Sequence, residues 1–124
     1  MRTKIPRIVR LTANAEALLR CQTALEEKEK GDHQGAQELM RPLWPRLEER
    51  PHVEGLHASV AAEVLLCVGI LMGWIGSRNQ IKDSQETAKN LITESITYFE
   101  SVGDVTKIAA ARTEIAYCYW RTVN

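Results

Sequence analysis

The chain carries no excess charge of either sign: sixteen basic residues balance sixteen acidic ones over 124 positions. A formal charge of zero removes the long-range electrostatic argument for nucleic acid or an anionic membrane, leaving only local patches to make one. Cysteine is scarce, and Cys21, Cys67 and Cys118 are odd in number, far apart and set among apolar or helix-forming neighbours. With no CxxC pair, this is the pattern of reduced core thiols. The first residues lack the continuous apolar stretch and small-residue cleavage site of a secretory signal, so a cytoplasmic setting is expected. One uncharged apolar run is present, Val64 to Ile75, twelve residues long. As a helix it rises only about 18 Å against a hydrocarbon core of about 30 Å, so a buried central helix is expected rather than a membrane span.

Catalytic signatures are missing too. The chain has no P-loop and no dinucleotide fingerprint. His33, His52 and His57 are the one set that suggests a metal, and no cysteine pair or dense carboxylate group completes a tetrahedral site. Cys67 lies within LLCVGI, an apolar setting that raises a thiol pKa and keeps it inert. No metal, no cofactor and no enzymatic activity are therefore expected.

What the chain does have is helical periodicity. Its composition, 44% hydrophobic and 26% charged, is that of an ordinary globular domain. Residues 1–11 form a basic, partly apolar arm, with Arg2, Lys4, Arg7 and Arg10 interleaved with Ile5, Ile8 and Val9. Residues 12–124 read as one helical domain. A first helix from Thr12 to Lys30, capped by Thr12 or Asn14, places Leu18, Cys21 and Leu25 on one face. Gly31 and Asp32 then end that helix and start the next, glycine taking the left-handed position and aspartate accepting free N–H groups. The second helix carries Ala36, Leu39, Met40, Leu43, Trp44 and Leu47, and Pro42 should kink or end it near Arg41, with Pro45 opening a short further segment. A loop over 50–57 precedes a long helix from Leu56 to Ile75, stopped by Gly76 and Ser77. Asp83 and Glu86 have the spacing of a capping box for a fourth helix running to Ser101, with Ala88, Leu91, Ile92, Ser95, Ile96 and Phe99 as its apolar stripe. Gly103 and Asp104 repeat the stop-and-restart signal, and a fifth helix over 105–122 carries Ile108, Ala111, Ile115, Ala116 and Tyr119. An all-α fold of about five helices in antiparallel hairpins is the result.

The segment Gly31-Asp32-His33-Gln34-Gly35-Ala36 resembles the turn of a tetratricopeptide repeat, in which a small alanine follows at the close helix crossing. Leu65, Val68, Gly69 and Met72 resemble the first helix of a second unit, Ala88, Ile92, Ser95 and Ile96 its second helix, and Ile115, Ala116 and Tyr119 the first helix of a third, uncompleted unit. The resemblance covers about residues 15–121. The equivalent small residues Ala24, Gly69 and Ala116 are 45 and 47 positions apart, against a usual period of about 34, and HEAT-like hairpins fit that spacing as well. The Gly-Asp turn and the small-residue positions favour the tetratricopeptide type.

The resemblance implies a short stacked-hairpin solenoid that binds a protein or peptide on the surface lined by each first helix. Matching positions are Lys28 in the first unit, Glu63, Ile70 and Trp74 in the second, and Thr113, Tyr117, Trp120 and Arg121 in the third. Trp, Tyr and Arg also dominate binding hot spots, although an aromatic at helical spacing more often serves a core. An adaptor or regulatory subunit is the leading expectation, with a homodimer through the C-terminal helix. The alternative is a nucleic-acid-linked regulator that uses the basic arm.

Overall fold

A computed structural model describes residues 12–123, so the basic arm assigned to residues 1–11 lies outside the described residues. The fold is all-α. Helices α1 (Ala13–Glu29), α2 (His33–Leu39), α3 (Ala58–Arg78), α4 (Ser84–Ser101) and α5 (Val105–Val123) pack against one another, with no strand among the described residues. Helices α1 and α2 form one hairpin and α3 and α4 a second, while α5 folds back on α4 and also reaches α3. The apolar α3 is the central element, in contact with all four other helices.

Local chemistry sets most of the boundaries. The Thr12 hydroxyl accepts from the Ala15 N–H, 3.1 Å away, and starts α1. Gly31 is left-handed, at φ +87°, which frees its own N–H to reach the Lys28 carbonyl and the Asp32 N–H to reach the Glu27 carbonyl. This closes the carbonyl end of α1. Asp32 then caps α2 by accepting from the Gly35 N–H at 2.9 Å. Gly103, at φ +71°, ends α4 with the same pair of bonds, and Asp104 accepts from the Lys107 N–H at 3.1 Å to start α5.

Helix α3 departs from the sequence reading. Gly76 does not stop it, and the helix continues to Arg78. The stop is Gln80, left-handed at φ +54°, whose N–H bonds the Ser77 carbonyl while the Ile81 N–H bonds that of Gly76. Gly76 serves packing instead, because a Cβ there would collide with the Ser84 side chain at the start of α4. The capping box also fails to form: Asp83 occupies the cap position at φ +65° and its side chain caps nothing. At 21 residues, rising about 31 Å, α3 is long and apolar enough to cross a membrane by length and composition, so the argument from a short apolar run does not hold. Its 18-residue apolar window is 67% buried by the other elements of the fold.

Helix α2 ends at Leu39, ahead of Pro42, and Pro45 opens no further helix. Residues 40–57 instead form a link pinned from inside. Met40, Trp44 and Pro51 are fully buried, the Trp44 indole donates to the Glu49 carbonyl at 3.0 Å, and the His52 N–H donates to the Leu43 carbonyl at 2.7 Å.

The buried face of α1 is Ala17, Cys21 and Ala24, with Leu25 packed at its edge; of the expected stripe only Leu18 faces out. Small residues let α1 lie close to its neighbours. Gly69 does the same for the α3–α4 contact, where an added Cβ would sit 2.6 Å from Ile92 Cγ1 and 3.2 Å from the Ala88 carbonyl oxygen. Ala116, expected to be the third such crossing, is exposed. All three cysteines are free and buried.

Candidate partner-binding site

Three helices contribute to one half-buried cluster. Trp74, near the C-terminal end of α3, lies at its centre. The Lys28 ammonium from the last turn of α1 stands 4.5 Å from the indole centroid, and the Arg121 guanidinium of α5 stands 4.7 Å from it. Tyr117, one helical turn before Arg121, brings its ring to 5.7 Å from the indole at a tilt of 56°. Cations near an indole face are held by the ring quadrupole. The aromatic pair adds apolar area and a geometric preference of its own.

A second layer fixes the arginine. Its Nε donates to Gln85 Oε1 at 2.8 Å, and Gln85 Nε2 donates to the Gly73 carbonyl, also at 2.8 Å. Gly73 leaves the space that the guanidinium occupies, since a Cβ there would collide with Arg121 Nη2. Glu114 completes the cluster. Burial pushes its carboxyl above the usual range, opposed by Lys28, the Trp74 indole and Arg121. Trp74 Nε1, Glu114 Oε1 and Arg121 Nη1 are nonetheless buried without a hydrogen bond of good geometry. Concentrating three such atoms where three helices meet marks a place the fold does not fully satisfy.

The same face continues toward the N-terminal half of α3 as an apolar groove of about 380 Å³, lined by Leu18, Leu25, Leu66 and Cys67. Glu63 and Lys107 close it with an ion pair of 2.9 Å. On α5, Lys107, Glu114, Tyr117 and Arg121 recur at helical spacing, which places them along one side facing α1 and α3. Groove and cluster are therefore parts of one surface.

Of the residues singled out from the sequence, Lys28, Trp74, Tyr117 and Arg121 converge, and Glu63 lies on the same surface at the groove. Ile70 does not present itself to a partner: it is buried in the core, because the α3 turn that bears it is covered by neighbouring helices. Thr113 and Trp120 lie apart, on the outward side of α5, where with Ala116 and the edge of Tyr117 they line a shallow hollow of about 420 Å³. Two contributors escaped the sequence reading, Glu114 and Gln85. Glu114 precedes Tyr117 by three residues and Arg121 by seven, a spacing that carries the signal.

The three histidines do not meet as a set. His52 and His57 are exposed, whereas His33 is partly buried beside a polar hollow that Arg41 and Arg78 also line. Burial, then Arg78 and Lys28, lowers the His33 pKa. Among the described residues no group of three or more His, Cys, Asp or Glu side chains could hold a metal ion. No family model, characterised protein or solved structure matches the chain.

Proposed function

We propose that the chain is a cytoplasmic protein-interaction module, a tetratricopeptide-like adaptor or regulatory subunit, that binds a protein or peptide along the surface formed by α1, α3 and α5. The observation that carries this reading is the convergence of Lys28, Trp74, Tyr117 and Arg121 from three helices at one end of an apolar groove. An apolar side chain of the partner enters the groove beside Leu25 and Leu66. A polar or charged group of the partner reaches the cluster, where it meets Trp74, Glu114 and Arg121, whose mutual contacts leave Trp74 Nε1, Glu114 Oε1 and Arg121 Nη1 without a hydrogen bond of good geometry. Aromatic and arginine side chains around a small desolvated spot are the usual anchors of such an interface. In this reading α1, α3 and α5 are the first helices of the hairpins, and each contributes to the same face.

Affinity capture from cell lysate tests the reading when the intact chain is compared with Lys28→Glu and Tyr117→Ala, and with Arg46→Ala on the exposed link as control. A specific partner should be retained by the intact chain and by Arg46→Ala, and lost or weakened at least about tenfold by the other two. Equal capture by all four chains would refute the assignment.

A further inference from the structure

The outward side of α5, opposite Ala111 and Cys118, has its own composition. Thr106, Ala109, Thr113, Ala116, Trp120 and Val123 follow one another at alternating steps of three and four residues, all exposed and none charged. Trp120 is 62% exposed and Val123 81%. That alternation is the seam along which two helices pair. Three of the four charged residues of α5 lie on its other sides, and Arg112 flanks the seam. Lys107, Glu114 and Arg121 turn toward α3 and α1, and Arg112 bonds Glu100 of α4 at 3.1 Å.

We propose that this seam pairs with the same seam of a second copy of the chain, antiparallel about a two-fold axis passing between Thr113 and Ala116. Size selects the orientation. The bulky residues, Trp120 and Val123, stand at the C-terminal end, and the small ones, Thr106 and Ala109, at the N-terminal end. Antiparallel pairing seats each Trp120 on the partner copy's Ala109 and each Val123 on its Thr106, with Thr113 facing Ala116. Parallel pairing would stack Trp120 on Trp120 and leave a gap at Ala109. A two-fold interface requires a patch complementary to itself. This one is, since an uncharged seam with a size gradient matches its own reverse and offers nothing to a charged partner. The seam spans about 26 Å of helix, so the dimer it makes is small and reversible. This inference concerns a different side of α5 from the proposed partner-binding surface, the two meeting at Tyr117.

Sedimentation equilibrium from about 1 µM to about 1 mM tests it, with circular dichroism confirming that each variant is folded. The intact chain should approach twice its 14.0 kDa mass with rising concentration. Ala116→Arg, at an exposed helical site that tolerates arginine, should stay monomeric throughout, and Trp120→Ala should weaken association about thirtyfold. Ala109→Glu and Trp120→Lys should each associate poorly alone, whereas their equimolar mixture recovers at least tenfold, because antiparallel pairing sets Glu opposite Lys. An intact chain that remains monomeric overturns the dimer, one that Ala116→Arg does not disturb overturns the surface, and a mixture that gains nothing overturns the register.

Discussion

Replacing Gly69 with alanine probes a close contact between α3 and α4. The new methyl would lie 2.6 Å from Ile92 Cγ1, 3.2 Å from the Ala88 carbonyl oxygen and 3.3 Å from Ile92 Cδ1. Ile92 is fully buried, and Ala88 presents backbone, so neither neighbour can swing out to solvent. Overpacking of this kind costs about 1–3 kcal/mol, while exchanging a mid-helix glycine for alanine returns about 1 kcal/mol of helix propensity. The balance is a loss of about 1 kcal/mol, up to about 2, and a fall in Tm of a few degrees for a domain of this size. Urea titration followed by circular dichroism measures it. The sharper form uses Ile92→Ala as a second background. That change alone costs about 2–5 kcal/mol, but it removes Cγ1, so in its presence Gly69→Ala should cost nothing or stabilise. The coupling between the two should exceed about 1 kcal/mol. An unchanged or raised Tm for Gly69→Ala alone, or the same penalty in both backgrounds, would show that α3 and α4 do not meet this closely at Gly69 and Ile92.

Glu114→Gln should remove a pH dependence. Burial raises the folded carboxyl above its unfolded value, so between the two pKa values the folded state holds more protons and stability falls as pH rises. The intact chain should accordingly lose stability upward through that window, and the glutamine variant should give a flatter profile in denaturant titrations from about pH 4 to 7, equal or greater in stability at the upper end; identical profiles would contradict a buried carboxyl. Gln80→Gly should stabilise by up to about 1 kcal/mol by relieving a left-handed side-chain-bearing residue, and a lower Tm would show that the Gln80 side chain does more than end α3. The thiols of the native chain should react with a disulfide reagent only as fast as the fold opens. All three are buried, with Cys67 pushed well up by the neighbouring Cys21 and by burial, and Cys118 raised by burial against the opposing pull of Arg121. A thiol reacting at the rate of a free peptide would place that cysteine at the surface.

The helix hairpins were legible wherever a glycine took the left-handed position. Gly31-Asp32 and Gly103-Asp104 do in the structure what their chemistry indicates. The end of α3 was not, because a glutamine fills that role at Gln80 while the conspicuous Gly76 is spent on approach to Ser84. Propensity favours glycine at left-handed sites but does not require it. Large apolar residues also misled on α1, where alanines meet the core and Leu18 faces out; small residues win where helix axes come close, and only the tertiary arrangement reveals that. Of the four candidate site residues that came together, Tyr117 and Arg121 share a side of α5 by helical spacing, whereas Lys28 and Trp74 reach them only through the packing of α1 and α3 against α5. Ile70 was lost to the core and Glu114 overlooked, since covering depends on neighbours that one helix does not specify.

The proposed binding surface is tested most directly by hydrogen–deuterium exchange of the chain with and without a captured partner, read over every helix. Added protection is expected in the segment of α3 from Glu63 to Trp74, in the last turns of α1 around Lys28 and along α5 from Lys107 to Arg121, with α2 and the exposed side of α4 unchanged. Protection concentrated on α2 and α4, with the Trp74 cluster exchanging as in the free chain, would contradict it.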